Sequence, residues 1–277
     1  MRLPPTLVGL AVGAALAVAG ALMQGLTRNP LASPETLGVG QGAALAVVLA
    51  IYLAGISSPY GYVWFAILGA VAATVGVYAL AGARSGGQTT VRLALSGAVL
   101  ATVAASWTGT VMTLDRRTLD EARFWLVGSL VGRPVEVLLA VAPFLAAGAV
   151  LAVLLVRPLD ALALGEDAAV ALGINPLRAR LLGAGAVMLL AGGAVAAAGP
   201  LAFVGLAVPH IVRRVTGPDH RLLLAGSALV GPVLLLLADV LGRVVMRPLE
   251  LEVGIVTAFL GAPVLIALVR YTRTVSQ

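Results

Sequence analysis

"LLGAGAVMLLAGGAVAAAGPLAFVGLAVPHIV" fills positions 181–212 without one Asp, Glu, Lys or Arg. As a single helix these 32 residues would run about 48 Å, far beyond the ~30 Å of a bilayer's hydrocarbon core. Pro200 disfavours helix at the residue before it and has no amide to donate. The run therefore reads as two segments, 179–198 and 201–214. The second is short, which is tolerable where protein rather than lipid surrounds it. Working outward, apolar residues make up 60% of the 277 and charged ones 11%. Soluble domains carry about 45–50% and about 25%, so lipid must solvate most of this chain.

The other charge-free runs are 3–27, 36–83, 93–114, 137–156, 222–238 and 253–269. The run 36–83 is long enough for two crossings, with "AGISSPYGY" (54–62) as its turn. About nine membrane segments result: 6–26, 36–54, 62–82, 93–113, 135–156, 179–198, 201–214, 222–242 and 254–271. A further helix, 118–130, contains "LDEARFWLVGSL" and is too charged to cross. The fold class is all-α, a polytopic transmembrane helix bundle, with a single transmembrane domain over 1–277. The first segment has no basic region beyond Arg2 and no cleavage site, so it reads as a retained span.

All 18 basic residues are arginine. Nine crossings place eleven of them on one face, including Arg28, Arg178 and Arg213, and seven on the other, including Arg2 and Arg243. The richer face is cytoplasmic by the positive-inside rule. That bias also accounts for the high isoelectric point, with no nucleic-acid partner needed. The absence of cysteine excludes disulfides, thiolate metal sites and cysteine nucleophiles.

Ion-coupled carriers place ionisable groups at mid-membrane. Here the spans hold almost none: Glu136 and Asp239 lie near ends, and His210 sits late in a short segment. A G-x-x-x-x-G-K-[ST] phosphate loop is missing too. Any free energy for transport must therefore come from a separate subunit.

One polar island interrupts the oily chain, "ALGEDAAVALGINP" (163–176). Gly165 can end the preceding turn, and Glu166 and Asp167 suit the first turn of a helix, where the dipole favours negative charge. Gly173 fits the position just past the end, and Pro176 blocks continuation. The result is a two-turn helix presenting Ala169, Val170 and Leu172 as an apolar patch. Such a helix is unstable alone and needs something to pack on. A plain connecting loop is the alternative.

"LMQGLTRNPLASPETLGVGQGAAL" (22–45), "LALGEDAAVALGI" (162–174), "GPLAFVGLAVPHIVRRVTGPDHRLLL" (199–224) and "LLADVLGRVVMRPLELEVGIVTAFLGAPV" (236–264) together resemble the FecCD-type permease subunits of ABC importers for iron-siderophores, haem and vitamin B12. Members of that family usually have ten transmembrane helices, and this chain resembles them from the second onward. The expectation is that a first helix is missing through a start-site error or truncation.

The resemblance implies a role for the island. The cytoplasmic loop 157–178 would be the coupling loop that docks on a cytoplasmic ABC ATPase dimer, through Leu164, Gly165, Glu166, Asp167, Ala168, Ala169, Leu172 and Gly173. External arginines would receive a solute-binding protein. Arg2 and Arg243 match such positions, while Pro5 replaces a second arginine usual near Arg2. Asp239 and Arg243, four apart, also suit a helical ion pair. Asn29 and Leu31 of the "RNPLA" turn, with Thr90 of "GGQTTVR" (86–92), would form the inner gate. The span 93–113 and the mouth near 115–130 would line the pathway.

The implied partners are that ATPase, a second permease copy or homologue, the binding protein and membrane lipid. No residue is assigned a catalytic or metal-binding role, and no cofactor is expected on this chain; ATP and Mg²⁺ belong to the ATPase. The implied location is the plasma (inner) membrane of a bacterium or archaeon, with the C-terminus cytoplasmic. Iron(III)-siderophore is the expected cargo, ahead of haem and cobalamin, and no stretch reads it. His210 reads as a packing residue and His220, in "GPDHR", as a solvated loop residue. The rivals are a secondary transporter, which would need a mid-membrane carboxylate, and a non-transporting scaffold.

Overall fold

Residues 3–82, 88–246 and 250–263 are described by the computed structural model. Helix α1 (Leu3–Thr27) is followed by a 3₁₀ turn (Pro34–Leu37), α2 (Val39–Ala54), α3 (Pro59–Ala81), α4 (Gln88–Leu114) and α5 (Arg116–Leu126). Then come α6 (Val135–Leu154), α7 (Val156–Ala163), α8 (Glu166–Ala171), α9 (Pro176–Ala198), α10 (Val204–Thr216) and α11 (His220–Val245). The helix Val253–Pro263 is here α12. Six of these helices are long and apolar enough to cross a membrane.

Local chemistry sets the starts. Pro59 and Pro176 occupy first turns, where the missing amide costs nothing. The Ser58 hydroxyl accepts from the Gly61 amide at 3.1 Å. Asn175 caps α9 by accepting from the Arg178 amide at 3.1 Å, and Asp219 caps α11 through the Arg221 amide at 2.7 Å. The expected surface helix forms as α5, where Asp115 accepts from both the amide (2.9 Å) and the hydroxyl (2.5 Å) of Thr118. Those two bonds hold the half-buried Asp115 carboxyl below its usual pKa.

At the centre stands α1, packed against α11, α9 and α10. Small residues let the backbones touch. A Cβ on Gly13 would lie 2.8 Å from the Gly231 carbonyl of α11, and one on Gly20 would overlap the Gly205 carbonyl of α10. The inward faces of α9 are mostly Ala and Gly, from Gly183 to Ala198.

The expected break at Pro200 is present, with residues 199–203 non-helical between α9 and α10. Two expectations need correction. The segment predicted to cross from residue 36 begins its helix only at Val39, because Pro34 and the left-handed Gly38 close off a separate turn first. The loop 157–178, expected to couple to an ATPase, also takes in a second helix: a turn at Leu155 separates α7 from α6. Of the segment predicted at 254–271, the part beyond residue 263 lies outside the described residues.

Candidate functional site

Three places in the bundle carry polar chemistry. The first is the end bearing Arg178, Arg213 and Arg221. Here α8 forms as the sequence predicts, with Gly165 before it at φ 116° and Gly173 after it at φ 78°. The Ile174 amide donates to the Ala169 carbonyl (2.9 Å) and the Gly173 amide to that of Val170 (2.9 Å). That bond pair is a Schellman closure, which needs a left-handed residue such as glycine. Glu166 bonds Arg180 of α9 at 2.5 Å, so the first turn of α8 is pinned to the next span.

The apolar patch is present with one change. Ala169 is fully buried in a small cluster with Ala161, Leu162 and Ala179. Successive residues on a helix turn by about 100°, and this one faces inward. Leu164, Val170 and Leu172 point out instead, 72%, 60% and 63% exposed. Asp167 is exposed, and Gly165 and Ala168 are half-buried.

His220 overturns the loop reading. It is buried at the start of α11 and bonds Asp160 of α7 through Nδ1 at 2.7 Å, while its own amide donates to the same oxygen at 3.2 Å. Its ring also lies beside Gly25 at the end of α1. Only the neighbour Asp219 gave a signal in the sequence, as a cap; burial was fixed by packing from distant segments.

The second place lies deep in the bundle. After Arg28, which is left-handed at φ 50°, Asn29 forms a local turn by accepting from the Leu31 amide at 3.0 Å. Asn29 and Leu31 are exposed here, at the same end as α8. Thr90 lies in the first turn of α4, and its side chain, like Arg2, falls outside the described residues. The chain does not stay at that end. A Cβ on Gly205 would sit 2.9 Å from the Leu16 carbonyl and 3.0 Å from Cδ of Pro34. Leu16 lies 11 residues before the end of α1, about 17 Å along the helix. Residues 28–38 are therefore a re-entrant connection reaching mid-depth. Residues 199–203 arrive at the same level from the opposite end, where the Ser129 amide holds the Ala198 carbonyl at 2.8 Å. Non-helical backbone at membrane depth survives only where protein or a wet cavity covers it. Protein covers it here, and the two connections line one cavity of about 370 Å³, together with Leu16, Ala101 and Val195.

Glu35 projects into this cavity, with Gln41 beside it; both side chains are exposed there. Among the described residues it is the one carboxylate at this depth. The sequence reading missed it because it sits in a connection, immediately before a charge-free run. The available signal was the Pro34–Gly38 bracket, which isolates "PETL" as its own turn.

The third place is the opposite end. Arg243 pairs with Asp239 at 2.7 Å, as their spacing predicts. Nearby, a cleft of about 420 Å³ between α3, α5 and the start of α12 is lined by Tyr62, Glu121, Trp125, Arg133 and Glu252. Burial pulls the Arg133 guanidinium below its ordinary pKa, opposed by the Glu252 and Tyr62 charges.

The FecCD transport family profile matches residues 1–271. The chain belongs to the FecCD transport family. It is 48% identical to the ferric enterobactin transport system permease protein FepD of Escherichia coli (strain K12), over 97% of this chain and 80% of that protein. It is 44% identical to the Fe(3+)-citrate import system permease protein YfmD of Bacillus subtilis (strain 168), over 99% and 81%. Among solved structures, it is similar to a metal-chelate type ABC transporter in an inward-facing conformation, with a TM-score of 0.88 and 33% identity over 98% of this chain and 86% of that one. This FecCD chain is thus a multi-pass membrane permease of the ABC importer class. Family membership also decides against the secondary-transporter rival, despite the carboxylate at mid-depth.

Proposed function

We propose that this chain is the membrane-spanning half of an ATP-driven importer of iron(III)-siderophore complexes. It works beside a second permease copy or homologue, over a cytoplasmic ATPase dimer, and receives cargo from an extracytoplasmic binding protein. The observation that carries the reading is the α7–α8 platform. It is braced internally by the Glu166–Arg180 and Asp160–His220 pairs, yet leaves Leu164, Val170 and Leu172 bare. A patch so braced and so exposed suits a protein groove. Relatives named for ferric enterobactin and ferric citrate support iron cargo.

The mechanism follows from the braces. ATPase closure pushes on α8, the Glu166–Arg180 pair passes the push to α9, and Asp160–His220 passes it to α11. Both helices pack on α1, so the displacement reaches the mid-depth cavity and alternates its access. In this reading the arginine-rich end and the C-terminus are cytoplasmic, and Asn29, Leu31 and Thr90 narrow the inner exit. Arg243 and Arg2 face the binding protein, where charge complementarity steers docking.

The test is reconstitution with the ATPase and ⁵⁵Fe-chelate uptake. Leu172→Asp and Val170→Asp should lower uptake per ATP hydrolysed by about tenfold or more, the scale of a central contact in an interface. Uptake driven by an ion gradient without ATPase would overturn the reading. Haem or cobalamin uptake in place of iron chelate would redirect it.

A further inference from the structure

The two helices braced to the α7–α8 platform are not mechanically alike. Helix α11 carries Pro232 at its middle, which removes a ladder hydrogen bond and lets the helix bend there. Helix α9 has its one proline in the first turn and runs unbroken for 23 residues, about 34 Å at 1.5 Å per residue. Near its start, Arg180 holds Glu166 of α8. Its far end holds the outer mouth.

That far end is a three-way junction of backbone. The Ala198 carbonyl accepts from the Ser129 amide at 2.8 Å. Gly199 is left-handed at φ 81°, and a Cβ there would sit 2.1 Å from the Trp125 carbonyl of α5. On the other side of the same loop, the Gly254 amide of α12 donates to the Gly128 carbonyl at 3.1 Å, and a Cβ on Gly254 would lie 1.9 Å from the Val127 carbonyl. Residues 125–129 are therefore sandwiched between the end of α9 and the start of α12. Backbone meets backbone with no side chain between, so no rotamer change can absorb a shift.

We propose that α9 is the transmission rod of this permease. Arg180 takes up the movement of α8, and Ala198 and Gly199 deliver it through residues 125–129 and Gly254 to α5 and α12 at the outer mouth. The inference rests on the import reading above and adds the residues that position the mouth. Packed helices shift by about 1–2 Å in such transitions. A shift of that kind at Ala198 must carry Ser129 with it or break their 2.8 Å bond. The bend at Pro232 makes α11 the poorer conductor, so the Asp160–His220 brace anchors the platform instead.

The chain has no cysteine, so a single thiol reports on the mouth. Ala122 lies on the buried face of α5 at 0% exposure, and Ala122→Cys meets a thiol reagent only when α5 shifts. The chain is assembled with its ATPase in lipid nanodiscs and labelled with a charged methanethiosulfonate. The labelling rate should differ about fivefold or more between the nucleotide-free and the ATP-vanadate-trapped states, the low end of a coupling between two sites. Arg180→Gln, which unpins α9, should abolish the difference, and Asp160→Asn, which loosens the α11 brace, should leave most of it. Gly199→Ala, which forces the junction apart, should abolish it while the Glu166–Arg180 pin stays in place. Equal rates with the junction and both braces intact overturn the rod. So does a difference that survives Arg180→Gln or a folded Gly199→Ala, or one that vanishes with Asp160→Asn. If Gly199→Ala does not fold, the Arg180 and Asp160 variants decide alone. Should the unmodified assembly take up no iron chelate, the import reading fails, while the labelling still decides whether α9 carries movement to the mouth.

Discussion

Helices α1 and α9 differ from α4 and α6 in the opposite sense to a soluble protein. The most apolar windows of α1 and α9 are 72% buried, and those of α4 and α6 only 22%. Yet the buried face of α9 is mostly Ala and Gly and α1 makes its closest contacts at Gly13 and Gly20, while the peripheral pair displays Leu95, Val99, Leu139 and Val153 outward. In lipid, apolar bulk gains nothing by turning inward, because the tails outside are as apolar as the core. What the inside needs is closeness, and small residues supply it. Small residues therefore mark the places where helices of this bundle approach most closely.

The strongest way to break that contrast is to add bulk to the centre. Gly20→Val should prevent a monodisperse fold, because its Cβ lands on the Gly205 backbone and backbone cannot step aside. The cost should exceed the roughly 1–3 kcal/mol of ordinary overpacking. The same change at Gly109 of α4, where nothing lies within 4 Å, should leave gel filtration in detergent unchanged. Equal damage at both positions would refute the contrast. A second, smaller effect is expected at the buried junction of α7 and α11. Asp160→Ala removes the partner of the buried His220 and should lower stability by about 1–3 kcal/mol, the cost of orphaning a buried polar group. Thermal unfolding of the purified chain reads this directly.

At the surface, effects should shrink further. The Asp115 cap has a depressed pKa, so its contribution is complete above the unfolded value of about 3.8 and is lost as pH falls through the lower folded value. Hydrogen exchange at the Thr118 amide should stay flat from pH 7 to 5, once corrected for intrinsic rates, and Asp115→Ala should raise it at pH 7. Arg243→Ala leaves the buried Asp239 carboxylate without its partner and should cost the fold about 1 kcal/mol, the low end for an orphaned buried polar group. Any larger loss should appear in affinity for a binding protein.

What the sequence made legible tracks which forces are local. The helix α8, the Arg243–Asp239 pair and the break at Pro200 all rest on residues within a few positions of one another, and each is present. The re-entrant 28–38, the burial of His220 and the inward turn of Ala169 depend on Leu16, Asp160 and Ala179, remote in sequence or set by packing. Charge-free runs reveal where lipid is, but not how deep a connection dives. Glu35 stayed hidden for that reason, though it lies one residue outside a run that was read as a span.

Phe203 bears on how the bundle moves. It is left-handed at φ 69° directly before α10, a conformation that costs an ordinary residue about 1–2 kcal/mol, and its ring lies against Gly261 of α12. α9 and α10 consequently cannot fuse into one straight rod. Residues 199–203 form no helix between them, so α9 and α10 stand as separate rods, with α10 packed on α1 and α11. The angle between the two helices is set by one strained aromatic residue wedged against α12.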